Sequence, residues 1–132
     1  MKEQNYLDHL VGVLGQPVAE NPGVVIQDAA FRALGLERWR YLTLDVDKDK
    51  LGDAIRGLKA LKMRGVNCTI PHKIAVMEYL DEISESARLI GAVNTIVNDN
   101  GRLYGDNTDG KGFMMSLQSN DVDVRGKRAV VF

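Results

Sequence analysis

The sequence predicts an α/β fold: a three-layer α/β/α sandwich around a mixed, mostly parallel sheet with one antiparallel hairpin pair. Short apolar runs of strand length alternate with stretches whose apolar residues recur at helical spacing, the pattern that builds βαβ units. Asn98-Asp99-Asn100-Gly101 then separates two strand-like runs, and Asn-Gly accepts the positive φ values of a tight primed turn. The 132 residues also suffice for one domain with a real core.

Taken in order, His9 to Leu14 is an apolar run ending at Gly15, a candidate buried strand with His9 expected at the surface. Gln16 to Gly23 is rich in Pro, Asn and Gly and reads as a loop. A helix is predicted from about Val24 to Leu34, with Ile26, Ala29, Ala30 and Phe31 inward and Gly35 as its C′ stop. Trp39 to Val46 suits a second strand. Asp47 or Asp49 can cap the next helix, where Leu51, Ala54, Ile55, Leu58 and Leu61 form one apolar stripe. Further on, Ser84 can cap a short helix carrying Ala87, Leu89 and Ile90. Gly91 to Val97 and Arg102 to Gly105 are the hairpin strands, and Asp106 to Gly110 leads into a helix bearing Phe113, Met114 and Leu117. Arg125 to Phe132 looks like the start of one more strand.

Composition narrows the function classes. A net charge of −1 gives no general reason to expect nucleic acid. No apolar run approaches membrane-spanning length, and the N-terminus lacks a signal-peptide core, so a cytoplasmic protein without a membrane partner is expected. The single Cys68 rules out an internal disulfide and a cysteine metal cluster, and its apolar neighbours point to a core residue. No metal is expected.

The chain is organised around Gly65-Val66-Asn67-Cys68-Thr69-Ile70-Pro71-His72-Lys73. Val66, Cys68 and Ile70 alternate as in a strand, and Pro71 suits the first position of a helix continued by Ile74, Ala75, Val76, Tyr79 and Leu80. Lys73 would then lie in a first helical turn. There the dipole favours the neutral amine, as a general base requires. A solvated first-turn lysine is the competing reading. Asp109 alone fits a helix N-cap, and Asn94 alone fits a loop residue that bonds backbone. The convergence is what counts: Lys73, Asn94 and the Thr108-Asp109 pair all fall near strand-to-helix junctions, where active groups gather in such sheets.

Three stretches carry a resemblance. Asn67-Cys68-Thr69-Ile70-Pro71-His72-Lys73 is similar to the Asn-Val-Thr-x-Pro-x-Lys signature of the shikimate/quinate dehydrogenases. Gly91-Ala92-Val93-Asn94-Thr95 and Gly105-Asp106-Asn107-Thr108-Asp109-Gly110 resemble that family's other two signatures, in the same order. The resemblance implies a substrate-binding catalytic domain over 1–122, followed over 123–132 by the start of a truncated Rossmann domain for NADP. It implies that Lys73 and Asp109 stand beside the reacting hydroxyl, with Asn67, Thr69, Asn94 and Thr108 on the substrate or its loops. The implied reaction interconverts 3-dehydroshikimate and shikimate, or a close cyclic polyol acid.

Two departures accompany it. No Gly-x-Gly-x-x-Gly occurs, so these residues are not expected to build an NADP site. The chain is then expected to be a fragment or isolated domain, lacking its Rossmann partner and the last helices that return to cover it, with self-association as a consequence. The second departure lies in the first loop. The family's Ser-x-Ser-Pro, whose hydroxyls hold the substrate carboxylate, aligns with Asn21-Pro22-Gly23-Val24, and a preceding His with Glu20. Asn21 and Gly23 remain candidate substrate contacts, with fewer hydroxyl donors. The alternative function from another class is a non-catalytic domain that senses such ligands.

Overall fold

The computed structural model of the protein describes residues 5–130. Its six strands are β1 (His9–Gly15), β2 (Trp39–Asp45), β3 (Gly65–Cys68), β4 (Glu82–Ile83), β5 (Thr95–Asp99) and β6 (Arg102–Asp106), and its helices are α1 (Gly23–Ala33), α2 (Leu51–Ala60), α3 (Glu85–Ile90) and α4 (Asp109–Ser119). They form one sheet in the order β2-β1-β3-β5-β6-β4. β1 pairs parallel with β2 and β3, and β4 parallel with β6. Only β5 runs against the others, so both of its ladders, to β3 and to β6, are antiparallel.

The hairpin forms as its sequence requires. Asp99 pairs with Arg102, leaving Asn100 and Gly101 as a two-residue loop with φ of 51° and 96°. Asn98 ties the turn down, accepting from the Gly101 N–H (2.7 Å) and donating to the Met63 carbonyl (2.8 Å). At Gly65 the β3 backbone passes so close to β5 that a Cβ would lie 2.2 Å from the Ile96 carbonyl oxygen. No larger residue fits there.

The core lies on one face of the sheet. Leu14, Val66, Cys68, Ile96 and Leu103 meet Leu51, Ile55 and Leu58 from α2 and Ala87 from α3. The α2 stripe is therefore real, except that Leu61, at the helix end, is exposed. Neither Asp47 nor Asp49 caps it: Lys50 holds the N-cap position, and the Asp47 carboxylate takes a hydrogen bond from Gln16 instead. Ser84 does cap α3, accepting from the Ala87 N–H at 3.1 Å. At the end of α1, Gly35 (φ 66°) donates to Arg32 and Leu36 donates to Phe31, the paired closing bonds of a Schellman stop.

Helix α1 differs from expectation on its other side. Ile26, Ala29 and Ala30 are exposed rather than inward, and only Phe31 of the four is partly covered. The reason is placement. The helix lies by the edge strand β2, with Phe31 5.7 Å from the Trp39 ring, and does not cross the sheet. The sheet face on this side is largely open, with Val97 and its ladder partner Tyr104 both exposed.

The second difference falls at Pro71. No α-helix starts there; residues 70–74 form turns, followed by a short 3₁₀ segment, Ala75–Tyr79. An α-helix needs the Lys73 carbonyl for the N–H four residues on. That carbonyl is taken by the Val93 N–H (2.7 Å), and Met77 turns back to Ile74 at 3.2 Å. The third difference is the chain end. No strand forms over 125–130; Val131 and Phe132 lie outside the described residues. Among the described residues no helix is long and apolar enough to cross a membrane.

One carboxylate ties β6 to α3 and α4. The Ser84 hydroxyl, the Lys111 ammonium and the Asn107 N–H hold the Asp106 carboxyl well below the usual carboxylate range. A depressed folded value stabilises the fold fully above the unfolded value, about pH 4, and is lost as pH falls through the folded one. The gap in thermal midpoint between wild type and Asp106→Asn is therefore expected to be constant near neutrality and to narrow below about pH 4. A gap that stays constant down to pH 2 would contradict it.

Candidate active site

The ends of β1 and β3, the start of α1 and the start of α4 converge on a cleft of ≈ 260 Å³. The register explains the convergence. Parallel pairing sets Val13 beside both Asn67 and Thr43, so the neighbouring strands end at one level and the loops that follow turn out together. Asn21, Gly23, Asn67, Thr69, Lys73, Asn94 and Asp109, seven of the eight candidate residues, line this cleft. Thr108, the eighth, stands behind it and bonds to Asn94.

Lys73 and Asp109 come from segments 36 residues apart, and Lys73 Nζ donates to Asp109 Oδ2 at 2.5 Å. Both side chains keep solvent access, with relative exposures of 32% and 56%. Lys73 thus sits in a turn facing a carboxylate, and the helix dipole expected behind it is not there. Asp109, by contrast, does open a helix, where a negative charge is favoured.

Asn94 organises the pair. It immediately precedes β5, and its backbone N–H bonds to Asp106 (3.1 Å) while its carbonyl accepts from Cys68 (2.8 Å). Fixed between two strands, its side chain donates to Asp109 Oδ1 (2.8 Å) and Thr108 Oγ1 (2.9 Å). Its Oδ1 accepts from the Thr108 N–H (2.9 Å) and the Thr95 hydroxyl (3.0 Å). Each Asp109 oxygen therefore has one defined donor inside the chain, and the carboxylate cannot rotate without breaking one.

Two residues that sequence reasoning missed complete the site. Tyr41 lies in β2, and its hydroxyl donates to Asn67 Oδ1 (2.8 Å) from the cleft wall; burial raises its pKa, so it stays a neutral donor. Only the β1–β2 register carries it to Asn67, and no local pattern marks it. Asn107 is buried and braces the loop before α4. It accepts from the Asp109 N–H (3.0 Å) and donates to the Ala92 carbonyl (2.9 Å). An Asx residue two before a helix start is a recognisable signal for this role.

Cys68 is buried and its thiol is pushed up to about 12 by that burial, the Lys73 charge acting weakly the other way. It is a wall, not a nucleophile. His72, also buried, donates from Nε2 to the Val46 carbonyl (2.7 Å) and holds the turn before Lys73. In the first loop, Asn21 Oδ1 accepts the Gly23 N–H at 2.8 Å, so that backbone donor is already used. No group of His, Cys, Asp and Glu able to hold a metal ion occurs among the described residues.

Residues 13–96 match the shikimate dehydrogenase substrate binding domain. Shikimate dehydrogenase (NADP(+)) of Symbiobacterium thermophilum is 51% identical over 122 residues, which cover 92% of this chain and 41% of that protein. Among solved structures, the ligand-free 5-ketofructose reductase of Gluconobacter sp. strain CHM43 is 46% identical with a TM-score of 0.83, over 87% of this chain and 41% of the other. Shikimate 5-dehydrogenase of Listeria monocytogenes, in complex with shikimate and NAD, is 36% identical with a TM-score of 0.86, over 96% and 44%. The chain thus spans less than half the length of these relatives.

Proposed function

The chain belongs to the shikimate dehydrogenase substrate-binding domain family, and from that premise we propose that it is the catalytic substrate domain of an NADP-dependent oxidoreductase. The reaction is the interconversion of a secondary alcohol and a ketone on a small polyhydroxylated substrate, for which shikimate and 3-dehydroshikimate are the reference pair. Relatives named for shikimate and for 5-ketofructose, both polyhydroxylated, support the class. The observation that carries the reading is the 2.5 Å contact of Lys73 with Asp109 in a cleft otherwise lined by amides, hydroxyls and apolar groups. The proposed division places the substrate domain at 1–122 and the first stretch of a dinucleotide-binding domain at 123–132.

The described residues do not fit a dinucleotide, because no strand among them feeds a Gly-rich turn and helix N-terminus of the kind that cradles a pyrophosphate. The nicotinamide, when bound, supplies the hydride chemistry. What this chain's own residues do is position the substrate and move a proton. In reduction, Lys73 gives a proton to the carbonyl oxygen as the carbon becomes tetrahedral, and an O–H bond forms where an N–H bond breaks. In oxidation, the amine takes that proton back from the hydroxyl. Asp109 holds the ammonium in place and offsets its charge. Asn67, Thr69, Asn94 and Tyr41 present neutral donors and acceptors that suit vicinal hydroxyls.

The test is isotope transfer. The full-length protein, given 4-deuterated NADPH of the correct face and a polyhydroxy ketone it reduces, is expected to place one deuterium on the new carbinol carbon, read by mass spectrometry. Ligand binding with no incorporation from either face would instead favour a sensing domain.

A further inference from the structure

The cleft carries no net charge to attract an anion. Of the residues lining it, only Lys73 and Asp109 are ionised, and they are paired with each other at 2.5 Å. We propose that the substrate of this site carries no carboxylate and is an uncharged polyhydroxy ketone with its corresponding alcohol. The proposal rests on the reading of Lys73 and Asp109 as the proton-transfer pair and narrows the substrate that pair serves.

The first loop is built for this, not merely stripped of hydroxyls. Asn21 Oδ1 occupies the Gly23 N–H at 2.8 Å, which removes the one charge-complementary donor that a glycine could offer. A Cβ at position 23 would lie 2.8 Å from that same oxygen and 3.4 Å from the Tyr41 hydroxyl. The asparagine and the glycine therefore fit one another, and a side chain at 23 would displace the Asx turn. What the loop offers the cleft is an uncharged amide, its oxygen already engaged by the Gly23 N–H.

Glu20 adds to the effect. It lines the adjoining hollow between the first loop and Thr69-Ile70, which shares Asn21 and Thr69 with the cleft. A second carboxylate held here would meet a like charge, screened in part because Glu20 is exposed. The groups left over are neutral. The Asn21 Nδ2, the Gln27 amide and the Thr69 hydroxyl make no side-chain hydrogen bond to the described residues, and amide and hydroxyl groups pair with substrate hydroxyls without a desolvated charge.

The test is a competition of substrates in the full-length protein, followed by NADPH oxidation. The probes are 3-dehydroshikimate, which carries a carboxylate, and two uncharged polyhydroxy ketones, 5-ketofructose and 2-keto-myo-inositol. Loss of two charge-assisted bonds, each worth roughly 10–100-fold, predicts that kcat/KM for the better uncharged ketone exceeds that for 3-dehydroshikimate by at least about 100-fold. Equal or better use of 3-dehydroshikimate overturns the proposal and leaves the role of Lys73 and Asp109 standing. Turnover of none of the three overturns both. The triple variant Glu20→Ala, Asn21→Ser, Gly23→Ser is expected to shift the preference toward 3-dehydroshikimate, and an unchanged preference in a folded variant also counts against the proposal.

Discussion

Lys73→Ala in the full-length protein is expected to lower kcat by about 10²–10⁴-fold, the range for loss of positioned acid–base assistance. The Lys73 side chain is partly exposed and its one hydrogen bond among the described residues is to Asp109, so it contributes little packing. An exposed ion pair of this kind is worth only about 0–1 kcal/mol, and the thermal midpoint should hardly move. The backbone role of residue 73, accepting from the Val93 N–H, survives the substitution. A variant that keeps activity but melts markedly earlier would show that the pair is structural.

Asn94→Ala should lower stability and activity together. The residue is 8% exposed, and its side chain joins Thr95, Thr108 and Asp109 through both of its polar atoms. Its removal leaves the Thr108 N–H without its acceptor and frees Asp109 Oδ1. We expect a stability loss of about 1–3 kcal/mol from the unpaired polar groups. We also expect a fall in kcat on the order of 10²-fold, because the carboxylate that seats Lys73 is no longer fixed. Chemical denaturation and steady-state kinetics on one preparation read both. Loss of activity without loss of stability would mean that Asn94 contacts the substrate and little else.

The pattern of success in reading the fold follows the range of the forces involved. The α2 stripe, the Asn100-Gly101 turn, the Ser84 cap and the Gly35 stop were legible because each is decided by neighbours within a few residues. The Pro71 segment was not. Its local pattern is helical, and what prevents the helix is a bond from Val93, twenty residues downstream, to the Lys73 carbonyl. The outward face of α1 was equally hidden, since periodicity marks an apolar stripe without saying whether the sheet lies beneath it.

The candidate site was more legible than its setting. Chemistry-bearing residues at strand-to-helix junctions, together with the family signatures, led to the seven residues that now share a cleft. Tyr41 escaped because only strand register brings it to Asn67, and Asn107 because its role is to brace the backbone of the α4 entry. No helix dipole acts on Lys73, which sits in a turn; its partner is Asp109 from across the cleft.

The central claim is that Lys73 and Asp109 hold the reacting oxygen. A crystal structure of the full-length protein with NADP and the alcohol it oxidises would test this most directly. The account predicts the reacting hydroxyl within about 2.6–3.2 Å of Lys73 Nζ, or joined to it by one water, with Asp109 still bonded to Asn94. An alcohol bound with that hydroxyl on the far side of the cleft, out of reach of both side chains, would contradict it.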